Sequence, residues 1–579
     1  MKNTVYKLFI AAVALTAFAS CDKFLDTMPD NRADIDSATK IRALLTTAYP
    51  TGTYITVNEY MSDTVDKIGE DNPSGDRFRD QLYGWEQVTE TPNDSPSNFW
   101  DHAYYAIAHA NQALYAIQDI SGQEPGTALD VEKVVAAGLQ AEMAEALLCR
   151  AYNHFLLVNE FCLNYNTVSS EKDLGIPYME KAETQLNPTY ERGNVKDVYD
   201  KIGADIKMAL PYVSESYYKV PKYHFNMRAA YAFAARYFLF HEEWAEAENY
   251  ATKCLGSDPS QMLRDWERRS TLSSDWEVLT NDFINASDNA NLMLLTSYSG
   301  VGYSFSRGAN SRYSHNSYNS FTETFFAKNV WGNPNPSWRS NYMYFWECPT
   351  YWVGPTTDYI SLYKIPYLFE YTDPVAQIGY AHAVAPAFTS EEVLLTRAEA
   401  RVMQNKFDDA AADLTVWMRS ILLPKYVKED LTPENIQSFY SQVPYWNVNN
   451  PTVKKKLNPA FSIGAENGVK ECMLQCVIGF RRMALMYEGI RWWDIKRYGI
   501  EVVRRTLKQN PSANRGTDPY YIMDKETDRL LVDDPRRAIQ LPQEVISAGL
   551  TPNPRTPETE QDMRSRPLVL PEAMVPVQE

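Results

Sequence analysis

The sequence predicts a mainly α-helical protein, a scaffold of antiparallel helix pairs interrupted by a long aromatic-rich insertion of loops and short strands. Three observations predict it. Apolar residues recur at three-to-four spacing through most of residues 97–255. A helix–turn–helix layout near residue 240 has an echo near residue 405. Between the two, residues 298–371 lose the periodicity and hold 21 aromatics in 74 positions, with much Gly, Asn, Ser and Pro and few charges.

In chain order, Lys2 and Lys7 precede an apolar run from Leu8 to Ala19, and the small pair Ala19-Ser20 stands before Cys21. About a dozen apolar residues are too few to span a bilayer, so residues 1–20 read as a signal peptide. A Cys directly after small residues resembles the lipobox of bacterial lipoproteins, although Phe18 stands where Leu is usual. Cys21 is therefore the expected lipidation site and 21–40 a lipidated tether. Acyl chains suffice as an anchor, since each buried methylene contributes about 0.8 kcal/mol. No later stretch approaches the length of a transmembrane helix.

The helices follow. Ser97 is expected to cap one in which Trp100, Tyr104, Ile107, Asn111 and Leu114 recur. Leu139–Val158 is a second and Val198–Val213 a third, which Pro211 should end or kink. Met227–His241 and Glu243–Leu255 form a hairpin, and Glu392–Met403 with Phe407–Met418 repeats it. In both, an aromatic (Trp244, Phe407) precedes an Ala (Ala247, Ala410) by three residues. Small residues let the helices approach while the aromatic wedges the turn, which resembles tetratricopeptide-type pairs. The copies lie 163 residues apart, which excludes a continuous solenoid along the chain. The expected organisation is a helical region over 41–290 and a second region over 291–579 that contains the insertion 298–371. Strands such as Asn291–Tyr298 are expected beside that insertion, with most of its rings packed on the scaffold and some facing outward.

Composition narrows the function. A net charge of −18 disfavours nucleic acid as a partner, because phosphate binding needs clustered cations. The 39 Tyr and 13 Trp exceed what a core demands and point to a wet recognition surface. Six Cys beyond Cys21 are too few for a disulfide framework, and Cys472 and Cys476, four apart, lack companion ligands, so buried thiols are expected. None of the seven His falls in H-E-x-x-H, and neither G-x-S-x-G nor a P-loop is present, so no enzyme is expected. No cofactor is expected either. Glu70 to Asp76 has a partial likeness to a calcium loop, with Gln81 where a bidentate Glu would stand, which leaves a structural calcium open.

The C-terminal run Ile478-Gly-Phe-Arg481-Arg482-Met-Ala-Leu-Met-Tyr487-Glu488-Gly489-Ile-Arg491-Trp492-Trp493-Asp494-Ile-Lys-Arg497 closely resembles the signature of the SusD/RagB family. Leu541-Pro-Gln-Glu-Val545, then Asn553-Pro554, resembles its closing segment, and Cys21–Asp26, Ala144–Phe155, Gly175-Ile-Pro177, Val198–Leu210 and the Arg228 hairpin fall in family order. Phe480 and Ala484 replace two usual glutamates. Arg491, Asp494 and Arg497 are expected on one helix face, with Glu488 a turn earlier, as a charge ladder that locks the helix to its neighbours. The resemblance implies a lipid-anchored outer-membrane protein at the cell surface. It would capture oligosaccharides, or in some members peptides, as the lid of a SusC-like TonB-dependent barrel. Candidate stacking residues are Tyr83 and Trp85, in a polar loop before Pro96, and Trp331, Trp338, Trp346 and Trp352 in the insertion. Trp331-Gly-Asn-Pro-Asn335 sets a ring beside amides in a turn.

Overall fold

The structure, a computed structural model, describes residues 35–183, 190–306, 312–332, 344–347, 349–514 and 518–555. The expected signal peptide, Cys21, Trp338 and Cys348 lie outside the described residues. The main helices are α1 (Pro96–Ile120), α2 (Gln140–Phe161), α3 (Val195–Ala209), α4 (Met227–Phe240), α5 (Trp244–Leu255), α6 (Ser390–Met403), α7 (Phe407–Ile421), α8 (Val469–Ala484) and α9 (Arg491–Arg497). Ser95, two residues before the expected cap, accepts the Asn98 amide at 3.2 Å and leaves Pro96 in the first turn, where no amide is needed. Ser97 is inside the helix and donates to Glu544. Nearly every residue of α2 is buried, because α1 and α3 cover it from two sides. Pro211 acts as expected: α3 stops at Ala209 and a 3₁₀ turn follows over Leu210–Tyr212.

The two hairpins share a turn. Glu242 and Asn405 each adopt a left-handed φ, 64° and 61°, two residues before Trp244 and Phe407. Although 163 residues separate the copies, α5 packs directly on α6, so the pairs stack in space. Arg236 of α4 donates twice to Glu392 of α6, both at 2.6 Å, in a buried joint between the copies. The chain between them leaves the stack and returns.

It leaves and returns as a sheet. The strands are β1 (Asp66–Ile68), β2 (Asn291–Ser297), β3 (Tyr313–Ser314), β4 (Thr350–Gly354), β5 (Thr357–Ser361), β6 (Leu368–Asp373), β7 (Ile378–Thr389), β8 (Val502–Gln509) and β9 (Tyr521–Leu530). They form a sheet ordered β3-β1-β8-β9, a second ordered β2-β7-β6 and the hairpin β4-β5. Parallel pairing of β1 with β8 joins the two ends of the described chain. β7 runs straight into α6, whose first turn Thr389 caps through the Glu392 amide. Residues of both expected regions enter one continuous hydrophobic cluster.

Arg491, Asp494 and Arg497 share α9 as expected, but Glu488 lies outside that helix, because two helices and not one form the signature. Leu485–Ile490 breaks it, with Tyr487 at a φ of 68°. Each charge then meets a different neighbour. Glu488 receives Lys364 at 2.6 Å, Arg491 grips Asp63 through two bonds of 2.8 Å, Asp494 receives Arg481 at 2.9 and 3.1 Å, and Arg497 donates to Glu399 at 2.6 Å. All are buried. Phe480, where the family's usual glutamate is missing, packs its ring at a tilt against Trp417 and Trp331, with centroids 4.5 and 5.5 Å away. Cys149, Cys162, Cys254, Cys472 and Cys476 are buried and unpaired.

Candidate functional site

An open pocket of about 600 Å³ lies where the segment 76–94 meets the insertion. One wall is polar, with Asp76, Arg79, Glu90 and Asp94, and the other carries Tyr303, Tyr367 and Ala381 of β7. Asp76 caps the helix Arg77–Tyr83, accepting the Arg79 amide at 2.8 Å, and its second oxygen takes the Arg79 guanidinium at 2.5 Å. Arg79 also donates to Ser304 at 3.2 Å, which ties the polar wall to the aromatic one. Asp94 accepts from Ser299 Oγ at 2.5 Å and from the Gly300 amide at 3.0 Å, and desolvation by its surroundings raises its pKa. Gly302 makes the aromatic wall possible. A Cβ there would stand 2.3 Å from the Pro366 carbonyl oxygen, so only glycine lets the turn Gly302–Ser306 lie against Pro366–Tyr367. The Tyr303 and Tyr367 rings consequently sit 5.4 Å apart, with Tyr303 44% exposed.

Chemically, the pocket offers ring faces beside a fixed guanidinium and carboxylates. That combination suits a ligand with apolar faces and hydrogen-bonding edges. Both Asp94 oxygens are already engaged by neighbouring donors, and Asp76 is held by the Arg79 amide and guanidinium. They are placed as acceptors and charge partners.

None of the five described rings among those proposed from sequence lines this pocket. Tyr83 is buried, donating to the Arg505 carbonyl at 2.9 Å and stacking 4.3 Å from Tyr313. Trp85 is 1% exposed, its Nε1 donates to the Met61 carbonyl at 2.9 Å, and the Arg504 guanidinium lies 4.0 Å above it and 4.2 Å from the Tyr83 ring. Trp331 is buried between Phe345 and Phe480. A ligand cannot lie on these three, because the core already covers both faces. Trp346 is half-buried and borders a separate groove of about 800 Å³ with Trp266, Asn289 and Arg419. Trp352 is exposed on β4, stacked 6.2 Å from Tyr359 of β5. Trp338 lies outside the described residues.

Sequence reasoning missed Tyr303, Tyr367, Arg79 and Asp94. A signal for the aromatic wall was present: Tyr367, Phe369 and Tyr371 alternate with a strand's period of two. The run likened to a calcium loop disperses. Glu70 pairs with Lys525 at 2.8 Å, Asp76 caps its helix, and Asn72 donates to the Ile68 and Thr356 carbonyls. Among the described residues no three His, Cys, Asp or Glu gather as a metal site.

Fold and site together define a tetratricopeptide-like scaffold protein that carries a surface pocket on an inserted sheet. Residues 23–239 match the SusD-like family described as "Starch-binding associating with outer membrane", and the fold is similar to that of SusD superfamily structures. One is a putative sugar binding protein from Bacteroides vulgatus, 18% identical, with a TM-score of 0.58 over 90% of this chain and 99% of that one. A SusD-like carbohydrate binding protein from the same organism is 15% identical, with a TM-score of 0.53 over 88% and 96%. A SusD superfamily protein from Bacteroides thetaiotaomicron is 16% identical, at 0.53 over 90% and 100%. At such identities these likenesses speak for the fold. No curated protein matches the chain. Among the described residues, no helix is long and apolar enough to cross a membrane.

Proposed function

We propose that this protein captures oligosaccharides at the bacterial cell surface, in the pocket formed by Tyr303, Tyr367, Arg79 and Asp94, and binds them without cleaving them. The observation that carries the reading is the joining of two accessible tyrosine rings to a guanidinium and desolvated acid in one open pocket. Sugar rings have C–H faces that stack on tyrosine and hydroxyls that take planar polar partners, with a stacking contribution of order 1 kcal/mol per ring. The family description, the sugar-binding names of the structural relatives and the Cys21 lipobox support the wider setting. In that setting the protein is anchored by lipid at the outer membrane and hands its ligand to a SusC-like TonB-dependent barrel beneath it.

Titration calorimetry against plant, host and microbial oligosaccharides, with a reducing-end assay on the same samples, tests the reading. Glycan binding without new reducing ends, weakened by Tyr303→Ala, is the expected result. New reducing ends would replace the binding reading with a hydrolase. Heat with peptides alone would favour the second reading, peptide capture, which the exposed outer strand β6 of its three-stranded sheet supports.

A further inference from the structure

We propose that the open face of the β6–β7 hairpin continues the pocket as an aromatic rail, so that the site grips a linear glycan along several sugar units. The inference rests on the glycan reading of the pocket. Tyr367, a pocket wall residue, immediately precedes β6. Side chains two apart share a face of a strand, so Phe369 and Tyr371 of β6 stand on one side of it. The register agrees: Phe369 pairs with Ala381, itself a wall residue, and Tyr371 with Gly379. Pocket and rail are therefore one surface.

β7 gives that surface a floor of small residues. A Cβ on Gly379 would stand 2.7 Å from Cε1 of Phe369, so the ring leans across the neighbouring strand in the space glycine leaves. Phe369 and Tyr371 have centroids 4.9 Å apart and are 40% and 54% exposed. Four residues of strand carry the rings about 13 Å beyond Tyr367. The opposite face is differently employed, with Tyr380 edge-on to Tyr298 at 4.7 Å. Exposed clustered aromatics mark a surface that meets something.

The occupant follows from the chemistry. Rings repeating at strand period, continuous with a pocket of hydrogen-bonding groups, match a polymer whose units each present a C–H face and hydroxyl edges. A peptide would instead add to the outer edge of β6. That edge strand carries Glu370 and Asp373, and its pairing with β7 slips between Tyr371 and Asp373, an irregularity that bends the strand.

The test uses the purified full-length chain and ladders of malto-, xylo- and manno-oligosaccharides from disaccharide to octasaccharide, with an extended-peptide series in parallel. Affinity should rise with length in the ladder that binds. Phe369→Ala/Tyr371→Ala should weaken the octasaccharide about tenfold and leave the disaccharide unchanged, whereas Tyr303→Ala should weaken both. Tyr371→Ser alone, at the more exposed ring, serves if the double variant melts early. Native-like octasaccharide binding by these rail variants, or affinity independent of length, would overturn the rail while the Tyr303→Ala result still decides the pocket. Indifference of every length to Tyr303→Ala would remove the pocket reading. Silence of all ladders would overturn both, and peptide binding abolished by the rail variants would overturn the glycan assignment.

Discussion

In the C-terminal signature, Arg481, Arg491, Asp494 and Arg497 are each at most 4% exposed and each meets an opposite charge at hydrogen-bond distance. In the insertion, Tyr303, Trp352, Phe369 and Tyr371 stand 40–54% exposed. Both regions are dense in side chains of the kind that perform chemistry, and they use them oppositely. In the signature each charge is shut off from solvent and compensated by fixed partners, so none of it faces a ligand. An exposed ring costs little to keep, and its free face is what a ligand can cover. A motif dense in charge can therefore be architecture, while the proposed recognition surface sits in a region whose sequence shows only excess aromatics.

The contrast can be broken by experiment. Arg481→Ala should lower the unfolding free energy by about 4 kcal/mol in urea titration, because Asp494 stays buried with only the longer 3.5 Å contact to Arg497. Replacing both by apolar residues of similar volume should recover much of that loss, which a simple deletion of contacts would not predict. Trp85→Ala should cost about 3 kcal/mol, with glycan affinity of the folded fraction unchanged, since the ring packs in the core. Loss of binding without loss of stability would move Trp85 back to the ligand face.

Acid sharpens the same point on the helical side. His154 is buried, with Nδ1 donating to the Arg150 carbonyl and Nε2 accepting the Met179 amide, and burial depresses its pKa to about 3. The unfolded chain takes up that proton below about pH 6.5 and the folded chain does not, so this stability is present above pH 6.5 and lost as pH falls. The native chain's advantage over His154→Gln should shrink by about 2 kcal/mol between pH 6.5 and pH 5, read from paired denaturation curves. Tyr303→Ala should leave the melting temperature nearly unchanged while weakening glycan binding about fivefold by calorimetry. The smallest effect belongs to the exposed Arg419–Asp430 pair, 2.6 Å long, whose loss in Arg419→Ala should shift stability by at most about 0.5 kcal/mol.

Much of the scaffold was legible. α2, the stop at Pro211 and the echo of the α4–α5 hairpin in α6–α7 follow from periodicity and turn chemistry, which depend on residues close in the chain. The stacking of the two hairpins was not, because α5 meets α6 only after an excursion of more than a hundred residues. Tyr83 and Trp85 read as loop rings because their neighbours in sequence are polar. Arg504, brought in by β8 from the other end of the chain, fills the space against them.

By itself the sequence determined the main helices, the stop at Pro211, the repeat and an aromatic surplus in one segment, since each is written within a few turns of chain. Only the tertiary structure decided which rings that surplus exposes. The faces of Tyr83, Trp85 and Trp331 are taken by partners distant in sequence, while Phe369 and Tyr371 lie on a sheet face whose neighbours, Gly379 and Ala381, are small, and Tyr303 stands exposed on the turn Gly302–Ser306. Exposure is a property of what packs against a side chain, and local sequence does not record that.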